Sequence, residues 1–221
     1  MLASKETVDA VADSLSHYKV PNVVLDPVMV STSGAQLLPK EAVSTVRQKL
    51  LQLTTVLTPN IPEAWLLLQD AGNAVQQPED LDEIKILARN VHTLGPKAVL
   101  LKGGHLPLTT DLKRAKTKEE SKRIVDVLYD GQVFTVIESD YQLSRNTHGT
   151  GCSLASAIAA NLAQGRSLEQ SIKSATSYVH AGIRFALDIG HGSGPINHFH
   201  SVQYMAFPPY VTVPNPSFDL Y

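Results

Sequence analysis

The chain has 221 residues, 43% hydrophobic and 18% charged, with a net charge of −2, which suits one sizeable water-soluble domain. A single cysteine excludes an internal disulfide, and the lysines and arginine between Lys113 and Lys118 are offset by Glu119 and Glu120, so no basic block points to nucleic acid. No apolar run is long enough to span a membrane and no signal peptide opens the chain, so a reducing, cytosolic (cytoplasmic) setting with no membrane partner is expected.

Strand and helix patterns then alternate. A helix is expected after Ser4, with Val8, Val11, Ala12 and Leu15 at helical spacing. Residues 23–30 open as a β-branched run that reads as a buried strand ending at Asp26-Pro27. Leu38-Pro39 starts a second helix carrying Val43, Val46 and Leu50 on one face, and Thr55-Val-Leu-Thr58 is the next strand. Asn60-Ile-Pro-Glu63 opens a third helix. Pro78 starts a fourth, with Leu81, Ile84, Ala88 and Val91 on one side, and Ala98-Val-Leu-Leu-Lys102 is the strand before Gly103-Gly104. Residues 124–129, a turn at Asp130-Gly131 and residues 133–137 form a hairpin. One helix begins at Gly151. Another follows Ser167, where Gln170 completes a capping box and Ile172, Ala175, Val179, Ile183 and Ala186 face inward. Strands separated by helices predict a mostly parallel sheet covered on both faces, an α/β fold. The residues from Ser201 on, with Pro208, Pro209, Pro214 and Pro216, read as an extended or disordered tail.

Arg145-Asn-Thr-His-Gly-Thr-Gly-Cys152 breaks directly into an Ala-rich helix. Gly149 and Gly151 let the backbone curl so that several N–H groups point at one spot, and the helix adds the positive end of its dipole. Together they suit phosphate. Such a place also favours an anionic thiolate, which makes Cys152 a candidate base or nucleophile; the plain alternative is a turn with a buried cysteine packed as a small apolar residue. In open α/β sheets ligands bind beyond the carboxyl ends of the strands, and there this chain places Asp26, Thr58, Asn60 and Lys102 beside the Gly-rich turn. Each has an ordinary structural duty as well: Asp26 before Pro27 initiates a turn, Glu63 completes a capping box with Asn60, and Lys102 precedes a glycine turn. Gathered in one crevice, they read as a nucleotide phosphate site with two carboxylates for Mg²⁺, a lysine and an anion hole for a transferred phosphoryl group. His191, His198 and His200 lack a second cluster of ligands at a recognisable spacing, so no metal site is expected there. His148 reads as an accessory residue of the loop.

Leu25-Asp-Pro-Val28, Leu57-Thr-Pro-Asn-Ile-Pro-Glu-Ala64, Leu100-Leu-Lys-Gly-Gly-His105, Asp126-Val-Leu-Tyr-Asp130 and His148-Gly-Thr-Gly-Cys-Ser153 follow one another in an order that resembles hydroxymethylpyrimidine/phosphomethylpyrimidine kinases of thiamine biosynthesis. Gly192-Ser-Gly-Pro-Ile-Asn-His198 agrees with that family's C-terminal segment, and the insertion between Arg114 and Lys122 resembles fungal members. The resemblance extends from Met1 to about His200. It implies a ribokinase-like three-layer α/β/α domain over residues 1–200, followed by a tail over 201–221.

The resemblance also implies a MgATP donor and a small-molecule pyrimidine acceptor, 4-amino-5-hydroxymethyl-2-methylpyrimidine or its monophosphate, and it brings with it a homodimer. Asp26 and Glu63 would arrange Mg²⁺, while Asn60 and Lys102 approach the ATP phosphates. Gly149, Thr150 and Gly151 would form the anion hole, Val28 would line the acceptor site, and Cys152 would stand at the attacking oxygen. Members of the family begin with a strand and a Gly/Ser-rich segment that helps enclose the pyrimidine, whereas this chain opens on a helix. The expectation is therefore an N-terminally truncated member. Pyridoxal kinase, which shares the crevice, and a weak or inactive nucleotide-binding fragment are the alternatives.

Overall fold

The computed structural model describes residues 2–30, 36–189 and 191–202; the expected tail lies outside these from residue 203 on. Helix α1 (Lys5–Tyr18) starts where Ser4 accepts the Thr7 N–H, and it ends at Lys19 in the left-handed region. Strand β1 is only Val24–Leu25. It stops at Asp26-Pro27 because proline has no N–H to offer a ladder, and the Val28 N–H turns back onto the Asp26 carbonyl at 2.9 Å.

The second helix, α2 (Lys40–Thr45), continues as a widened π turn over Val46–Leu50 and a tight 3₁₀ turn over Leu51–Leu53, burying Val43, Val46 and Leu50 as their spacing predicts. Strand β2 (Val56–Leu57) and helix α3 (Ile61–Asp70) follow. Helix α4 (Leu81–His92) begins three residues later than Pro78 suggests, because Asp80 is the capping residue and its carboxylate accepts the Glu83 N–H at 3.0 Å. Then come β3 (Ala98–Leu101) and the hairpin of β4 (Arg123–Tyr129) and β5 (Phe134–Asp140). Helices α5 (Thr150–Ala163) and α6 (Leu168–Arg184) complete the order; α6 carries the expected Ser167/Gln170 capping box but stops before Ala186.

The strands lie side by side in chain order. Strands β1, β2 and β3 are parallel neighbours, and β4 is antiparallel to both β3 and β5. Only β4 is therefore reversed, and the sheet is mostly parallel. Alternate residues divide its two faces. Leu57, Val99, Leu101, Val125 and Val127 pack with buried residues of α1 to α4, including Val8, Val43, Leu67 and Ile84. Val56, Ala98, Leu100 and Leu128 pack with Leu154 and Ile158 of α5 and with Ile172, Ala175 and Val179 of α6. The result is a three-layer α/β/α domain in which the carboxyl ends of β1, β2, β3 and β5 gather on one rim. Among the described residues no helix is long and apolar enough to cross a membrane.

Candidate active site

On that rim the Lys102 ammonium meets the Asp26 carboxylate at 2.7 Å, with only 15% and 11% of the two side chains exposed. The Thr58 hydroxyl donates to the same Asp26 oxygen at 3.2 Å. Three strand ends thus converge on one carboxylate. The Lys102 backbone N–H donates to the Pro59 carbonyl at 2.8 Å, which fixes the lysine's base beside the start of α3. There Asn60 and Glu63 form a reciprocal capping box: the Asn60 side chain accepts the Glu63 N–H at 2.9 Å, and the Glu63 carboxylate accepts the Asn60 N–H at 2.8 Å.

Glu63 is 3% exposed. Burial pushes its carboxyl up to about 7, the Asp26 charge adds to this, and the Lys102 charge and the backbone amides of Asn60 and Met29 oppose it. The structural duty expected of Glu63 is therefore real. It does not exhaust the residue, because a carboxyl raised chiefly by burial is a place that a cation would relieve.

The N-terminus of α5 reaches the same point. Gly149 is its capping residue, with φ +87° in the region that favours glycine. Gly151 sits directly over the ion pair: a Cβ there would lie 3.2 Å from Asp26 Oδ2 and 3.3 Å from Lys102 Nζ. The first N–H groups of a helix lack intrahelical acceptors, so those of Gly151 and Cys152 add a positive field beside a lysine. The loop before α5 is braced from behind, the His148 N–H donating to the Gly194 carbonyl and the Gly194 N–H to the Arg145 carbonyl. A side chain at Gly194 would displace Asn146, whose Oδ1 lies 1.9 Å from where the Cβ would stand.

The structure thus brings Asp26, Asn60, Glu63, Lys102 and the Gly149–Gly151 turn together. Val28 is half-buried just past Asp26. Cys152 is exposed on the first turn of α5, which removes the alternative of a buried, core-packed thiol. It lines a groove of about 500 Å³ between α5 and α6 with Ser156, Tyr178 and His198. A second groove, about 630 Å³, lies between β5 and α6 among Arg123, Gln142, Thr176, His180 and Arg184. Because β5 runs with β3, the carboxyl end of β5 brings this groove to the same rim as Lys102.

One residue of this rim carried no role in the sequence reading. Asp126 is 9% exposed, and its carboxylate accepts the Gly103 N–H at 2.8 Å. Burial pushes its carboxyl up, against that N–H and the charges of His180 and Lys102. The signal was present as a lone carboxylate inside the apolar run Ile124-Val-Asp-Val-Leu-Tyr129.

A family model described as phosphomethylpyrimidine kinase matches residues 1–197. The chain belongs to this family. Among phosphomethylpyrimidine kinase relatives, the thiamine biosynthesis bifunctional protein ThiED of Geobacter sulfurreducens is 45% identical over 90% of the chain and 36% of its own length. The hydroxymethylpyrimidine/phosphomethylpyrimidine kinase of Bacillus subtilis is 35% identical over 90% of the chain and 67% of its own length. The chain spans only 36–38% of the first relatives it matches. In three dimensions it is similar to the ADP complex of Bacillus subtilis pyridoxal kinase, with a TM-score of 0.76 at 30% identity over 91% of this chain and 69% of that one. The phosphomethylpyrimidine kinase domain is thus ribokinase-like in fold, as the resemblance implies.

Proposed function

We propose that the chain phosphorylates hydroxymethylpyrimidine and its monophosphate with MgATP. The observation that carries this reading is the seat of Gly151 on the Asp26–Lys102 pair, which sets a helix N-terminus directly against a lysine and a carboxylate. A loose phosphoryl-transfer transition state needs positioning and charge stabilisation more than covalent chemistry. The N–H groups at Gly151 and Cys152 bind the transferred group, and Lys102 neutralises charge as it develops. Asn60 orients the same phosphates from the start of α3.

Asp26 and Glu63 would hold Mg²⁺, and the raised Glu63 carboxyl fits a divalent cation that arrives with the nucleotide and keeps several waters. When bound, the ion would supply positive charge against the negative charge of the phosphates. Cys152 accepts the proton of the hydroxymethyl group, and Val28 lines the acceptor side. The groove between β5 and α6 receives the nucleoside, since it opens on the same rim.

The names of the relatives favour the pyrimidine acceptor. Pyridoxal is the second reading, motivated by the fit to a pyridoxal kinase. Phosphorylation assays with both pyrimidines and pyridoxal, beside MgADP titration, separate them. Turnover of the pyrimidines is expected. Turnover of pyridoxal alone would favour the second reading, and MgADP binding without turnover of any acceptor would leave a nucleotide-binding module.

A further inference from the structure

We propose that Asp126 is a positioning residue of this site, holding Lys102 and the Gly103 turn in place from the centre of the sheet. The inference rests on the function proposed above only for what Lys102 touches; the geometry stands by itself. Strands β3 and β4 pair at Val99↔Tyr129, Leu100↔Leu128 and Leu101↔Val127. One more step of that register sets Lys102 opposite Asp126, and there the backbone ladder stops. The Lys102 N–H turns the other way, to the Pro59 carbonyl, and the Gly103 N–H is taken by the Asp126 side chain at 2.8 Å.

A carboxylate thus replaces a ladder carbonyl at the point where the chain must leave the sheet. Gly103 has no alternative path, because Val125 O lies 2.0 Å from the position a Cβ would take, and its own carbonyl closes the next turn by accepting the Leu106 N–H. Lys102 is therefore clamped on both sides of its Cα, at Pro59 and through Gly103 at Asp126, and its ammonium reaches Asp26 from a fixed base. A carboxyl group in the middle of a strand whose neighbours are Val125 and Val127 is otherwise an unfavourable choice, since a buried polar group must be hydrogen-bonded to be tolerated.

The role requires an acceptor, not a charge. Asp126→Asn keeps an oxygen of the same shape, whereas Asp126→Ala leaves the Gly103 N–H buried and unpaired. The test is a titration of parent and variants with Mg·ADP and with Mg·AMP-PCP, read with the amide exchange rate of Gly103 and the NMR signal of the Lys102 side chain. Asp126→Ala is expected to weaken AMP-PCP binding about tenfold, roughly the loss of one hydrogen bond. It should affect ADP less, speed exchange at Gly103 and free the Lys102 side chain, and Asp126→Asn should restore all four. Parent-like AMP-PCP binding in Asp126→Ala would overturn the proposal, as would an Asp126→Asn variant as weak as Asp126→Ala. A parent chain that binds neither nucleotide would refute the proposed function, while the Gly103 and Lys102 signals would still decide the part played by Asp126.

Discussion

Replacing Gly151 by Ala separates the site from the fold. The new methyl would stand 3.2 Å from Asp26 Oδ2 and 3.3 Å from Lys102 Nζ. Both are ends of side chains, so a shift of a few tenths of an ångström accommodates it, at about 1 kcal/mol for modest overpacking. Alanine in a helix is better than glycine by up to about 1 kcal/mol, so the two effects nearly cancel and the melting temperature should hold. Binding responds differently. The methyl occupies the space between the helix N–H groups and the ion pair, where a phosphoryl oxygen would sit. Loss of a single oxyanion donor lowers kcat by about 100-fold or more, equivalent to about 3 kcal/mol. Thermal melts and MgADP titrations on the same preparation, with turnover of the pyrimidine alcohol, give the comparison. A Gly151→Ala variant with parental affinity and turnover would show that the anion hole lies elsewhere.

Glu63 gives a pH dependence with a definite sign. Its folded pKa, about 7, is raised from 4.5, so the stability linked to its neutral form is fully present below about 4.5 and is lost as pH rises through about 7. At about 1.4 kcal/mol per unit the upper bound is about 3 kcal/mol, and urea unfolding at pH 5 and pH 8 should show the parent losing stability relative to Glu63→Gln; parallel curves refute it. Asn60→Ala removes the acceptor for the Glu63 N–H and should lower stability by about 1 kcal/mol in the same assay, and an unchanged midpoint would rule out the cap as a stabilising contact. Cys152 is exposed, so Cys152→Ala should change stability by less than about 0.5 kcal/mol while lowering kcat/KM for the alcohol by about 100-fold. The monophosphate, with a second pKa of about 6, should lose far less, and equal losses for both acceptors would mean that the thiol is no selective base.

Element order was legible because the signals are local. Ser4, Asn60 and Ser167 announce their helices by capping chemistry, and the spacing of Val43, Val46 and Leu50 identifies a buried face even where the helix widens. The convergence of Asp26, Lys102 and Gly151 was legible for a different reason: strand ends of a parallel sheet share one rim, so three separate motifs must meet. Strand ends were legible in part: Asp26-Pro27 marked the end of β1, whereas β2 covers only Val56–Leu57 of the expected Thr55–Thr58. Asp126 stood out locally as a lone carboxylate, but its partner, the Gly103 N–H, is set by the β3–β4 register, which no local pattern encodes. The bracing of the loop before α5 by Gly194 joins segments nearly fifty positions apart and depends on a missing side chain meeting Asn146.

The Asp26–Lys102 contact also dictates when the site comes into being. Its partners are 76 positions apart, and the parallel pairings around it need whole helices as crossovers. The β4–β5 hairpin, by contrast, closes on a tight local turn. Loop-closure entropy therefore puts the hairpin early in folding and the Asp26–Lys102 rim late. A ligand that binds only the finished rim bridges contacts absent from the folding transition state, so it should slow unfolding while leaving the folding rate nearly untouched. Nucleotide would then act on this chain as a kinetic latch, lengthening the life of the folded state through the last contacts to form.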